Sequence, residues 1–201
     1  MPRYGLVIDL KRCIGCHSCS IACKAENGTP PGVWWSKVLT KEKGAYPSTT
    51  ISYVPLMCMQ CKNAACVDVC PTGASYKRPN GIVAVDSDKC MGCKYCEVAC
   101  PYGARTVTQI KPYYSRHGLT PYEAVMYRKH KVGVVEKCNL CMERVERGEE
   151  PACVATCPGY ARHFGDLDDP NSNVSKLIAQ RHGFQLLPEL GTDPSVYYLP
   201  A

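Results

Sequence analysis

Phenylalanine and tryptophan are scarce in this chain of 201 residues, with two of each against 16 Gly and 16 Pro. So few large rings make ordinary apolar packing thin for a length that allows one or two domains. No run approaches the roughly 18 consecutive apolar residues of a membrane-crossing helix, because charged, Gly or Pro residues interrupt every one. A leader is not expected either: Met1-Pro2-Arg3-Tyr4-Gly5-Leu6-Val7-Ile8-Asp9 leads directly to Cys13, which leaves no room for a charged segment, an apolar segment and a cleavage site. There is no twin-arginine pair near the start, so work outside the cytoplasm would require export on a partner that carries the signal. H-E-x-x-H, G-x-S-x-G and Gly-rich phosphate loops are missing, and no catalytic residue is assigned. Lys and Arg outnumber Asp and Glu by 24 to 18, but they are scattered. The longest basic cluster, Arg128-Lys129-His130-Lys131, is too short to point to nucleic acid.

What the chain has in excess is cysteine, 16 in all. That content points to a cross-linked or metal-built scaffold. The cysteines form four quartets, each opening C-x-x-C and closing C-x-x-x-C: Cys13, Cys16, Cys19, Cys23; Cys58, Cys61, Cys66, Cys70; Cys90, Cys93, Cys96, Cys100; and Cys138, Cys141, Cys153, Cys157. Quartets one and three carry the 2-2-3 spacing of bacterial [4Fe–4S] ferredoxin ligands, while the second and fourth widen the middle gap to four and eleven residues. An internal repeat supports the same division. Cys70-Pro71-Thr72-Gly73-Ala74, Cys100-Pro101-Tyr102-Gly103-Ala104-Arg105 and Cys157-Pro158-Gly159-Tyr160-Ala161-Arg162 each follow the closing cysteine with Pro and reach Ala four positions on. Quartet one departs, with Lys24 after Cys23. A secreted disulfide framework does not require this quartet rule. Zinc knuckles usually separate two C-x-x-C pairs by a longer loop.

A tight C-x-x-C-x-x-C loop aims three sulfurs at one cluster, and in two-cluster ferredoxins the closing Cys before Pro serves the other cluster. Quartets two and three are close in sequence and are paired on that ground: Cys58, Cys61 and Cys66 with Cys100, and Cys90, Cys93 and Cys96 with Cys70. The remaining quartets then give Cys13, Cys16 and Cys19 with Cys157, and Cys138, Cys141 and Cys153 with Cys23. The expected fold is α+β, two nested ferredoxin-like two-cluster units with small antiparallel sheets and short helices. Residues 1–50 plus 132–170 form a discontinuous unit and 51–106 an inserted one. Residues 107–131 are an insertion loop, and 171–201 a C-terminal helix and extended tail.

Strands are expected before each quartet, at Tyr4–Leu10, Thr50–Val54, Gly81–Asp86 and Val132–Glu136. A hairpin should turn at Pro79-Asn80-Gly81. Short helices are expected at Ser18–Ala25, Cys93–Ala99 and Leu140–Arg147, and a later one at Ser172–Arg181.

The quartet order, the unequal gaps and the segment Cys13-Ile14-Gly15-Cys16-His17-Ser18-Cys19-Ser20-Ile21-Ala22-Cys23 resemble the four-cluster electron-transfer subunits of the dimethyl-sulfoxide-reductase family of molybdopterin oxidoreductases. The stretches Pro30-Pro31-Gly32-Val33 and Phe164-Gly165-Asp166-Leu167 are most similar to the iron–sulfur subunits of polysulfide, thiosulfate and arsenate reductases. The resemblance implies four [4Fe–4S] clusters, since all sixteen ligand positions are Cys. It also implies a large catalytic partner subunit with a molybdenum or tungsten bis-pterin cofactor, and a quinone-handling integral membrane subunit. The chain departs from compact relatives in its longer segment Val107–Lys131 and in lacking an apolar C-terminal anchor helix.

The expected role is therefore a relay of single electrons through four clusters, with the protein spacing the clusters and tuning them. The expected location is the outer, periplasmic face of a membrane, reached by export with the partner; the alternative is cytoplasmic. Two rival readings are a free polyferredoxin carrier and the small subunit of a soluble two-subunit transhydroxylase or dehydroxylase. Features favouring a permanent complex are the loop Pro30–Trp35 with Trp34 and Trp35, the tyrosines Tyr113, Tyr114, Tyr122 and Tyr127, and the tail ending Tyr197-Tyr198-Leu199, because interfaces concentrate Tyr and Trp. Each oxidised cluster with four thiolates carries about −2, so four turn the formal charge of +6 into about −2. Lys24, Lys62, Lys94 and Lys137, each next to a ligand, are the expected tuners. His17 and His163 are expected on the surface or beside ligands rather than as ligands.

Overall fold

The computed structural model describes residues 1–108 and 114–201. Strand β1 (Tyr4–Asp9) enters the first cysteine loop and helix α1 (Ser18–Asn27) leaves it. Strands β2 (Ser36–Lys43) and β3 (Thr50–Met57) make an antiparallel hairpin that leads to α2 (Ala65–Asp68). The expected turn at Pro79-Asn80-Gly81 joins β4 (Ser75–Lys77) to β5 (Val83–Val85), and α3 (Tyr95–Val98) follows. Beyond it come β6 (Thr106–Val107), α4 (Pro121–Met126), β7 (Val135–Glu136), α5 (Met142–Glu146) and α6 (Ala152–Ala155). The chain ends with β8 (Arg162–Asp166), α7 (Asn173–Gln180) and β9 (Val196–Leu199). This is the expected α+β class. A strand precedes every quartet, and the third cysteine of each quartet lies inside a short helix, at Cys19, Cys66, Cys96 and Cys153.

The largest sheet has the order β8-β1-β9, with β1 antiparallel to β8 and parallel to β9. That placement corrects the reading of the tail as an interface element. Tyr198 and Leu199 are fully buried in the sheet, and the Tyr198 hydroxyl donates to the Pro55 carbonyl at 2.7 Å. Together with Leu6, Ile8, Met57, Met59, Ile82 and Leu140, Tyr198 packs against Cys19, Cys58, Cys138 and Cys153 in one core. Each large side chain buried there contributes about 1.5–3 kcal/mol.

The described part of the 107–131 insertion turns inward as well. The last carbonyls of a helix lack partners within it, and here Tyr122 donates to the Lys24 and Ala25 carbonyls of α1 while His130 Nε2 meets the Asn27 carbonyl at 2.8 Å. Tyr127 is buried, and Tyr114 and Tyr122 are half-exposed but tied back by their hydroxyls. Tyr113 lies outside the described residues. Trp35 packs against the main core; Trp34 is exposed, with the Lys24 ammonium over its ring.

Candidate metal centre

The four C-x-x-C loops share one left-handed step. The residue before the second cysteine is left-handed in each: Gly15 (φ 69°), Gln60 (φ 48°), Gly92 (φ 74°) and Leu140 (φ 56°). A left-handed residue turns the chain sharply enough to bring two thiols to one side, and only Gly adopts it without steric cost. At two positions Gly is also demanded by packing. A Cβ on Gly15 would lie 2.3 Å from the Tyr53 ring, and one on Gly92 would lie 2.1 Å from the Gly133 carbonyl oxygen.

The fold brings cysteines of different quartets together. Cys13, Cys16 and Cys19 line one cavity with Cys157, alongside Arg162. Cys23 faces Cys141 and Cys153, and Cys138 faces Cys23, Cys141 and Cys153. Cys61 faces Cys58, Cys66 and Cys100. The described interactions of Cys70 are with its own turn, where Ser75 N–H reaches its Sγ at 3.3 Å, and none joins it to Cys90, Cys93 or Cys96. The helices that carry third cysteines pack in pairs, α1 with α6 and α2 with α3. Cys138 also faces Cys58.

These thiols stand in unlike surroundings. Burial pushes Cys23 and Cys61 up to about 12 and Cys141 up to about 11, and it raises Cys138 well above an ordinary thiol. Burial also raises Cys70, but donation from Ser75, Thr72 and Ala74 outweighs it and brings that thiol down to about 7. Grouped thiolates without a counter-charge are costly in such an interior, and a cationic group among them removes the cost. Among the described residues, no three His, Cys, Asp or Glu converge closely enough for a single metal ion, which would draw its sulfurs to about 3.8 Å from one another. A cavity lined by four free thiols, as at Cys13, Cys16, Cys19 and Cys157, instead fits a group with its own volume, such as an iron–sulfur cluster. The Nη1 of Arg162, buried without a partner among the described residues, is a donor that a cluster sulfur would satisfy.

Two arginines beside the cups come from the repeat and are site residues that cysteine spacing alone does not reveal. Arg105 donates from Nη2 to Cys66 Sγ at 2.9 Å and from Nη1 to Ser75 Oγ at 2.8 Å. Arg162 donates from Nη2 to Cys19 Sγ at 3.2 Å and to Ser36 Oγ at 3.4 Å. Both stand five residues after a closing cysteine, and their sequence signal is the shared Ala-Arg ending of the repeat. Of the four lysines expected to tune clusters, only Lys137 is buried. Lys24 donates to the Thr29, Pro30 and Val33 carbonyls and so fastens the following loop. Lys62 and Lys94 are exposed. His17 is exposed, and His163 is a half-buried strand residue whose basicity is lowered by burial.

Models of the 4Fe-4S dicluster domain match residues 49–116 and 104–167, and a second model of that description matches 12–74. The chain is 50% identical to a protein of Halobacterium salinarum named as a dimethyl sulfoxide reductase iron–sulfur subunit, over 99% of this chain and 79% of the relative. The chain belongs to the iron–sulfur subunits of the dimethyl-sulfoxide-reductase family. It is also 40% identical to the arsenate respiratory reductase iron–sulfur subunit of a Shewanella species, over 98% of this chain and 96% of the relative. With a polysulfide reductase polypeptide of Wolinella succinogenes it shares 39% identity, over 98% and 94%. As a member of this family, the subunit carries four [4Fe–4S] clusters and transfers electrons. Among the described residues, no helix is long and apolar enough to cross a membrane.

Proposed function

We propose that the four cups form a single line of electron-transfer sites. In order they are Cys13, Cys16, Cys19 and Cys157; Cys23, Cys138, Cys141 and Cys153; Cys58, Cys61, Cys66 and Cys100; and Cys70, Cys90, Cys93 and Cys96. A [4Fe–4S] cluster bound by such a cup takes up and releases one electron at a potential set by its surroundings. The observation that carries the reading is the cavity shared by Cys13, Cys16, Cys19 and Cys157, in which the closing cysteine of quartet four completes the cup of quartet one. The approach of Cys138 to Cys58 supports the order of the middle two sites. Cys16 and Cys93 are the two exposed cysteines among the sixteen, which supports ends at quartets one and three. The pairing implies two units, 1–50 with 132–170 and 51–106.

In this reading the quartet-one end faces a large molybdenum or tungsten bis-pterin subunit, and the Cys93 end faces a quinone-linked membrane subunit or a soluble donor. The complex is membrane-associated on its outer face, with export on the catalytic partner. The exposed apolar residues beside each end support two docking faces: Ile14, Ile21 and Tyr160 near Cys16, and Met91, Tyr95 and Val98 near Cys93. Iron and acid-labile sulfide in the complex isolated without oxygen should each come to about sixteen per chain. Cys93→Ser should stop reduction from the quinol side while sparing activity with a dye that reduces the catalytic subunit directly. Loss of dye-driven activity in an assembled complex would overturn the order.

A further inference from the structure

We infer that Arg162, Lys137 and Arg105 are potential-setting residues in the three gaps of the line, each acting on the two clusters that flank it. The inference rests on the four-site reading above. Arg162 bridges the first gap. Its guanidinium holds Cys19 of the first cup and faces Cys153 of the second, between the packed helices α1 and α6. Arg105 repeats the arrangement in the other unit, holding Cys66 of the third cup and facing Cys96 of the fourth, between α2 and α3. Both arginines thus lie between the third cysteines of the two quartets of their unit. Lys137 spans the middle gap: its ammonium donates to the Cys138 carbonyl of the second cup at 2.9 Å and to the Val83 carbonyl, and it faces Cys66 of the third.

All three cations are nearly sealed from water, with exposures of 4% for Arg162, 4% for Lys137 and 3% for Arg105. A buried charge without a counter-charge is strongly disfavoured. Yet among the described residues none of the three forms an ion pair with a carboxylate. Their counter-charges are the cysteine thiolates and whatever the cups hold. A fixed positive charge favours the more negative, reduced form of each neighbour, so each cation raises two potentials at once. It also lessens the repulsion an electron on one site exerts on the next.

The test is redox-poised electron paramagnetic resonance of the complex isolated without oxygen. Arg162→Gln should make the first and second centres at least tenfold harder to reduce, a 59 mV fall for a one-electron couple. Lys137→Met should do so for the second and third, and Arg105→Gln for the third and fourth, each leaving the other two centres within threefold. Arg162→Lys and Arg105→Lys keep the charge and should keep all four centres within threefold. A variant that moves one centre alone, all four equally, or none overturns the inference, as does a Lys variant that shifts as far as Gln. If a Gln variant fails to load iron, the Lys variant decides: loaded centres within threefold support the inference, and a tenfold fall overturns it. Iron and sulfide content of the unaltered complex tests the four-site reading separately.

Discussion

At Gly15 and Gly92 the cysteine loops of quartets one and three have no side chain to spare, and their next thiols, Cys16 and Cys93, are open to solvent. At the same step of quartets two and four stand Gln60 and Leu140, left-handed like the glycines yet buried. Gln60 donates from Nε2 to the Cys138 carbonyl at 2.9 Å and accepts from the Val83 N–H at 2.8 Å, so it links the third cup to the second. One residue earlier the contrast repeats. Ile14 and Met91 are exposed in the outer loops, while Met59 is buried in an inner one. One left-handed step therefore serves two ends. In the interior it supplies packing and cross-links that a chain poor in aromatic residues needs; at the ends it gives up packing to bring a site near a partner. The strain of a left-handed non-glycine residue, of order 1–3 kcal/mol, persists where the surroundings over-determine it, as the two hydrogen bonds of Gln60 do.

The largest expected difference between inner and outer loops is in ligand variants. Cys138→Ser should lose more than the four irons of its own site and lower the thermal midpoint sharply, because Cys138 sits in the main core. Cys16→Ser, at the surface, should keep the midpoint nearly unchanged. Equal losses of iron and midpoint in the two variants would erase the contrast.

Gln60→Leu comes next. It leaves the buried Val83 N–H without its partner and takes from the Cys138 carbonyl one of its two donors, Lys137 remaining, and should cost about 1–3 kcal/mol, read from chemical unfolding of the holo-subunit. Gly92→Ala forces a Cβ against the Gly133 carbonyl in a left-handed residue and should cost about 1–3 kcal/mol. Its damage should stay at the Cys93 end, so that spectroscopy shows one altered centre out of four.

The smallest effect concerns Asp9, which receives the Lys11 and Arg12 N–H groups at 3.0 and 3.3 Å and pairs with Arg181 at the mouth of the first loop. Burial raises its carboxyl, but Arg181 and the two N–H groups outweigh that and hold it below 3.8. A carboxyl depressed in the folded state contributes stability above its unfolded value, and the contribution is lost as pH falls through the folded value. The unaltered protein should therefore melt above Asp9→Asn at pH 7, and the two midpoints should converge as pH falls below about 4. A gap that widens in acid would contradict this account of the loop.

Much of this was legible because quartet spacing is a local signal. The left-handed step was readable where Gly marks it and hidden at Gln60 and Leu140, whose conformation is imposed by their burial. Strand β9 escaped notice because Val196–Leu199 acquires its role through parallel pairing with β1, nearly the whole chain away. β2, with the polar run Thr40-Lys41-Glu42-Lys43, carries little apolar alternation and is held by its pairing with β3. Lys24 follows Cys23 directly and interacts with it electrostatically, but its side chain also fastens residues 29–33, which adjacency does not show. Arg105 and Arg162 were visible as the end of a repeat, but nothing local shows that their guanidiniums return to thiols of other quartets.

The crossing of ligands between quartets is the central claim, and it is tested most directly where the described contacts are local, at Cys70. Spectra of the reduced complex should be compared for Cys70→Ser, Cys93→Ser and Cys61→Ser. The account predicts that Cys70→Ser and Cys93→Ser alter the same centre and that Cys61→Ser alters a different one. If Cys70→Ser instead changes the centre that Cys61→Ser changes, each quartet holds its own cluster and the crossed arrangement is wrong.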